Sequence, residues 1–190
     1  QFLKALRGEF ENRGIYTDST KEADVILFNG YQEVRQLFLS WIFDNKKKRV
    51  YRLGPIMSLH RKGFKWKLID YLVVFFANFF ADLVIFQSKW SYSKSLEFGF
   101  SKNKKYKIIF NAVDGNIFYK KQNEEKNPTK PFKLIYTSWS KNINKGFLFL
   151  NFLDENLDFN KYKMRFIGNS PFSFKIIKTI PALDSKHLAE

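Results

Sequence analysis

TSWSKNINKGF at residues 137–147 and RFIGNSP at residues 165–171 each follow or close a short apolar run, FKLIY at 132–136 and YKMRFI at 162–167. Apolar runs of this length bounded by small polar residues read as buried strands of a parallel sheet. Open α/β sheets bind their ligands at the loops leaving the carboxyl ends of such strands. A lysine among small residues in that position suits a phosphorylated ligand.

The same alternation extends toward the amino terminus. Residues 1–13 read as a helix with Phe2, Leu3, Leu6 and Phe10 on one face, VILFN at 25–29 as a strand, and Glu33–Phe43 as a helix. RVYRL at 49–53 is a predicted strand, 66–80 a helix, LVIFQ at 83–87 a strand, Ser88–Phe98 a helix stopped by Gly99, and YKIIF at 106–110 a strand. Strands separated by helices imply βαβ units and a mostly parallel sheet. KKQNEEKNPTKP at 120–131 has no large apolar residue and two prolines, so it reads as a solvated connector. The pattern then restarts with a strand at 132–137, a helix at 145–154 and a strand at 162–167, and DSKHLAE at 184–190 reads as the opening of another helix behind an Asp or Ser cap. The expected organisation is an incomplete Rossmann-like domain at 1–119, a linker at 120–131 and the first part of a second such domain at 132–190. No strand precedes the first helix and no initiator Met is present, so a piece lacking its first strand and the end of its second domain is expected.

Composition bounds the partners. The 190 residues are 45% hydrophobic and 19% aromatic, which argues for a packed core and against disorder. The net charge of +15 favours polyanions: nucleic acid, anionic lipid headgroups or phosphorylated small molecules. From Lys46 to Lys67 there are nine Lys or Arg and no Asp or Glu, with Phe64 and Trp66 interleaved, a candidate membrane-facing or phosphate-facing patch. The absence of Cys excludes disulfides and thiolate metal sites, and with only His60 and His187 no metal is expected. Leu68–Phe86 is nearly long enough to span a bilayer, but Asp70, Asn78 and Asp82 interrupt it. An aspartate at mid-membrane depth costs about 2.5–3.5 kcal/mol, so a buried helix running into a buried strand is the expectation.

In this order of pieces the chain resembles the family 4 glycosyltransferases of the two-domain GT-B fold. The likeness rests on ADVILFNG at 23–30, YRLGPIMSLHR at 51–61, ADLVIFQSKWSYSKSLEFGF at 81–100, IIFNAVDGNIF at 108–118, and TSWSKNINKGF with RFIGNSP. The resemblance implies an α/β protein of GT-B type, with a Rossmann-like amino-terminal domain, a mostly parallel sheet and the beginning of a second Rossmann-like domain. It implies transfer of a sugar, with retention, from a nucleotide-sugar donor to a glycan or lipid-linked acceptor in cell-surface polysaccharide synthesis. The donor is a substrate, and neither a cofactor nor a metal is implied. A cytoplasmic enzyme at the inner face of the membrane, in peripheral contact with anionic lipid, would follow.

Carried onto this chain, Lys145 matches the lysine that meets the donor diphosphate after the second domain's first strand. An ammonium beside helix amino-terminal N–H groups also suits a pyrophosphate on physical grounds, the plain alternative being a solvated lysine. Many members have Arg where this chain has Ser140; Lys141 supplies a charge one position on, without the guanidinium fork. Gly168, Asn169 and Ser170 match the glycine-containing loop near the nucleotide, or form a simple tight turn before Pro171. Arg52, His60 and Arg61 follow a first-domain strand and are candidates for the cleft and acceptor side, with Gln87 and Ser88 behind them. Asn111–Asp114 reads as a structural turn. The family's carboxylate motif would lie beyond Glu190, so the catalytic residues are unassigned and the 190-residue chain alone is expected to be inactive. Two alternatives remain: a basic nucleic-acid-binding module, for which no RNP, KH-type or zinc-finger pattern is present, and a relative that acts on nucleotide sugars without transfer.

Overall fold

The computed structural model describes residues 2–44, 46–119 and 131–189. The chain divides into two compact units, Gln1–Asn111 and Ala112–Glu190. Residues 120–130 of the expected linker lie outside the described residues.

In the first unit the apolar runs form β1 (Val25–Asn29), β2 (Lys48–Arg52), β3 (Leu83–Phe86) and β4 (Tyr106–Ile108), parallel and in that spatial order. The connecting helices are α2 (Val34–Phe43), α3 (Phe64–Phe80) and α4 (Lys89–Glu97), and α1 (Phe2–Asn12) precedes β1. Strand alternation sends Phe28, Tyr51, Val84 and Phe86 to one face, where they meet Leu37, Val73, Val74 and Ala77. Leu68–Phe86 divides as expected: α3 ends at Phe80 and β3 begins at Leu83. Among the described residues no helix is long and apolar enough to cross a membrane.

The second unit holds β5 (Phe132–Ser138), β6 (Tyr162–Gly168) and β7 (Lys178–Ile180), again parallel and in sequence order, with α5 (Phe147–Asn156) and a short α6 (Ser185–Ala189). Its core is Phe147, Leu150, Met164, Phe166 and Ile177. The Asp184 carboxylate caps α6 by accepting the N–H groups of Lys186 and His187, each at 3.0 Å. β7 was not expected from the sequence. Lys178-Thr179-Ile180 offers one aliphatic residue, and the strand exists because it pairs with Arg165–Ile167 of β6.

Two buried aspartates fix the irregular segments. Asp70, on α3, accepts the backbone N–H groups of Met57 and Ser58 at 2.8 Å each and so anchors the loop after β2. Asp154, on α5, accepts from Lys175 at 2.6 Å, Ile176 at 2.9 Å and Ile177 at 2.7 Å, which delivers the chain into β7. Burial alone pushes the Asp154 carboxyl up, but the three N–H donors and nearby Lys175 outweigh it and hold the group below its ordinary range. Its contribution to stability is therefore complete above the ordinary carboxylate value near ~3.9 and is lost as pH falls through the lower folded value. Asp154→Ala leaves the buried Ile177 N–H and the half-buried N–H groups of Lys175 and Ile176 without this acceptor and should cost about 2–4 kcal/mol of unfolding free energy by urea denaturation at neutral pH. The gap between variant and parent should narrow in acid, and a gap that widens there would contradict the assignment.

Candidate functional site

The loops leaving β5 and β6 meet at the carboxyl edge of the second sheet. Ser138 and Gly168 are the last register pair of the two strands. Gly168 has φ 128°, and a Cβ there would lie 2.0 Å from the Ser138 carbonyl oxygen. Only glycine allows this approach. One residue on, the Asn169 N–H donates to that same oxygen at 2.8 Å. The Asn169 side-chain amide donates to the Trp139 carbonyl at 3.0 Å, clamping the first loop to the second.

The first loop is a chain of side chain to backbone hydrogen bonds. The Ser138 hydroxyl donates to the Ser140 carbonyl at 2.8 Å, the Ser140 hydroxyl accepts from the Asn142 N–H at 3.1 Å, and the Asn142 side chain accepts from the Asn144 N–H at 3.0 Å. Asn142 thereby caps a single tight turn, Ile143–Lys145. Gly146, at φ 81°, redirects the chain into α5, which begins at Phe147 rather than at the expected 145. Lys141 and Lys145 are exposed on this loop. Ser140 shapes the loop through its hydroxyl, without adding charge. Ser170 turns its hydroxyl onto its own loop, donating to the Phe172 carbonyl at 2.7 Å and accepting the Phe172 N–H at 3.0 Å. As at any helix start, the first N–H groups of α5 stand outside the intrahelical ladder and present partial positive charge beside Lys145.

The carboxyl edge of the first sheet carries a polar row: Asn29 and Arg52 close β1 and β2, and Gln87 and Asn111 follow β3 and β4. Arg52 donates to the Asn29 side chain at 2.7 Å and to the Asn111 side chain at 3.1 Å, and Asn111 donates to Gln87 at 3.1 Å. Burial lowers the pKa of the Arg52 guanidinium. Asn29 and Asn111 were missed as site candidates. The available signal was a polar residue closing an apolar run, Asn29 before Gly30 and Asn111 after IIF. Asp114 does build the expected turn, accepting the Asn116 N–H at 2.9 Å. His60 and Arg61 are exposed beyond the Asp70-anchored loop, and Arg61 stacks on Trp66 at 4.2 Å. The Ser88 hydroxyl caps α4, accepting the Ser91 N–H at 3.0 Å.

The run Lys46–Lys67 is not a single patch. Strand β2 passes through it, placing Lys46–Arg49 at the amino edge of the sheet and Arg52 with Arg61–Lys67 at the carboxyl edge. Arg49 is buried and paired with Asp82 at 3.1 Å. Among the described residues no cluster of three His, Asp or Glu side chains forms a metal-binding group.

Solved structures share this fold. HepE from Anabaena in complex with UDP-glucose superposes with a TM-score of 0.63 at 17% identity, over 85% of this chain and 49% of HepE. HepE in complex with UDP gives 0.57 at 22% identity, over 80% of this chain and 41% of HepE. Sucrose-phosphate synthase from Thermosynechococcus elongatus gives 0.61 at 12% identity, over 99% of this chain and 50% of the synthase. The chain spans about half the length of these structures or less. Its fold is that of the Rossmann-like GT-B glycosyltransferases. No protein-family model and no curated protein matches it.

The close approach at Gly168 can be tested against an open glycine. Gly168→Ala should destabilise the chain by about 2–4 kcal/mol in thermal or urea unfolding. Gly8→Ala, inside α1 with nothing within 4 Å of the new methyl group, should be neutral or stabilising. Equal effects at the two positions would contradict the geometry.

Proposed function

We propose that the chain is part of a glycosyltransferase that moves a sugar from a nucleotide-linked donor to a glycan or lipid-linked acceptor. The observation that carries this reading is the convergence of the Ser138–Gly146 and Gly168–Ser170 loops at the carboxyl ends of adjacent parallel strands, beside the amino end of α5. Neighbouring folds crystallised with UDP-glucose and UDP support a uridine diphosphate sugar as the donor.

In this reading Lys145 and the first N–H groups of α5 receive the diphosphate, neutralising it in the ground state and stabilising the charge that grows as it leaves. Lys141 adds charge from the same loop. Gly168 lets the backbone come close to the nucleotide, and the exposed Asn169 and half-buried Ser170 lie beside it. Arg52, held by Asn29 and Asn111, belongs to the acceptor side together with His60 and Arg61. Ser88 is a positioning residue that caps α4. Transfer proceeds with retention, in the family 4 manner, and serves cell-surface polysaccharide synthesis at the inner face of the membrane. No metal or cofactor enters the proposal.

Isothermal titration of the chain with UDP-glucose and with UDP tests the reading. Saturable binding of both is expected, weakened about 10- to 100-fold by Lys145→Ala, the loss of one charge-assisted contact. Absence of binding at millimolar ligand, or binding indifferent to Lys145→Ala, would overturn it.

A further inference from the structure

α3 is apolar on two opposite faces. Asp70, Val73, Val74 and Ala77 are buried toward the sheet. Phe64, Leu68, Tyr71, Leu72, Phe75 and Phe79 point outward, each between 46% and 80% exposed. At about 100° per residue these six fall within one stripe roughly 100° wide, with Lys67 on one margin and Lys65 on the other. The stripe continues onto α2 through ring contacts: Phe79 to Phe75 at 4.6 Å, Phe75 to Phe80 at 6.3 Å, and Phe80 to Trp41 at 5.0 Å. Trp41, Ile42 and Phe43 are themselves exposed at the end of α2. A contiguous outward aromatic surface of this kind marks an interaction site.

Charge selects the occupant. Arg61, Lys62, Lys65 and Lys67 surround Phe64 at one end of the surface, and Lys46 and Lys48 follow α2 at the other. The sole acidic residue of α2 and α3 is Asp70, which is buried and engaged with backbone. A second copy would bring the same cations against these, whereas an anionic bilayer offers hydrocarbon to the stripe and phosphates to its rim. We propose that the outward face of α2 and α3 docks in the plane of an anionic lipid surface. Phe64, Phe75, Phe79 and Trp41 enter the boundary between headgroups and acyl chains, and Lys62, Lys65 and Lys67 meet the headgroups. Helix α3 lies along the surface over about 25 Å.

The inference deepens the proposed function by naming the surface that meets the membrane, and it rests on that reading for its biological sense alone. Vesicle binding is measured without donor or acceptor, so its failure and that of donor binding are separate results. The full chain should co-sediment with phosphatidylcholine vesicles containing about a third phosphatidylglycerol, and less as salt rises. Lys62→Ala/Lys65→Ala/Lys67→Ala should weaken this about a hundredfold. Phe64→Ser/Phe75→Ser/Phe79→Ser, outward positions checked for unchanged far-ultraviolet circular dichroism, should weaken it on the order of tenfold or more. Equal binding to pure phosphatidylcholine, absence of binding to both, or indifference to either set of substitutions would overturn the proposal. So would a concentration-dependent dimer, seen by analytical ultracentrifugation, that the serine variant dissolves, since the surface would then belong to a second copy.

Discussion

The approach of the Gly168 backbone to the Ser138 carbonyl is the constraint on which the second unit depends. It closes the last rung between β5 and β6 and continues one residue past the sheet through the Asn169 N–H. Because no side chain fits at residue 168, the two loops leave the sheet side by side rather than splayed. The groups that the proposed function assigns to the donor, the Lys141 and Lys145 ammonium groups, the start of α5 and the Asn169 side chain, stand on loops held by that narrow separation.

The same device recurs in both units: a helix carries one buried carboxylate that ties down an otherwise irregular segment. Asp70 holds the loop that precedes His60 and Arg61, and Asp154 holds the approach to β7. Each satisfies buried or half-buried backbone N–H groups that would otherwise lose this partner, which is costly where water is excluded. Loops at parallel sheet edges lack the ladder that rigidifies strands, so such anchors are what make the side chains on them well placed. The polar row Asn29, Arg52, Asn111 and Gln87 performs the equivalent task across the first sheet, linking the ends of strands that pair along their length only through backbone.

Much of the fold was legible in the sequence because the strands of a parallel sheet are apolar on both faces and stand out as short runs. VILFN and FKLIY mark the positions of β1 and β5, but β5 is not the buried strand its apolar run suggested, since Phe132, Lys133, Leu134 and Ile135 are exposed. β7 was not legible, since its stability comes from a neighbour and not from its own three residues. The site loops were visible through Gly168 and Lys145, but their internal wiring by Ser138, Ser140 and Asn142 was not, because hydroxyl and amide capping depends on turn geometry that spacing does not encode. Asn111 was read as part of a turn, whereas its side chain bridges Arg52 and Gln87 across strands distant in sequence. The basic run Lys46–Lys67 misled for the opposite reason: neighbours in sequence become the two ends of a strand. The aromatic richness of LIDYLVVFFANFF suggested burial throughout, yet its period places Leu68, Tyr71, Leu72, Phe75 and Phe79 outward.

The account's central claim is that the loops after β5 and β6 form one ligand site. Amide chemical-shift mapping of the isotopically labelled chain during titration with UDP-glucose tests it most directly. The account predicts that the largest changes fall on Ser138–Leu148 and Gly168–Ser170, with both loops moving on a single binding curve. Changes confined to one loop, or centred elsewhere in the chain, would contradict it.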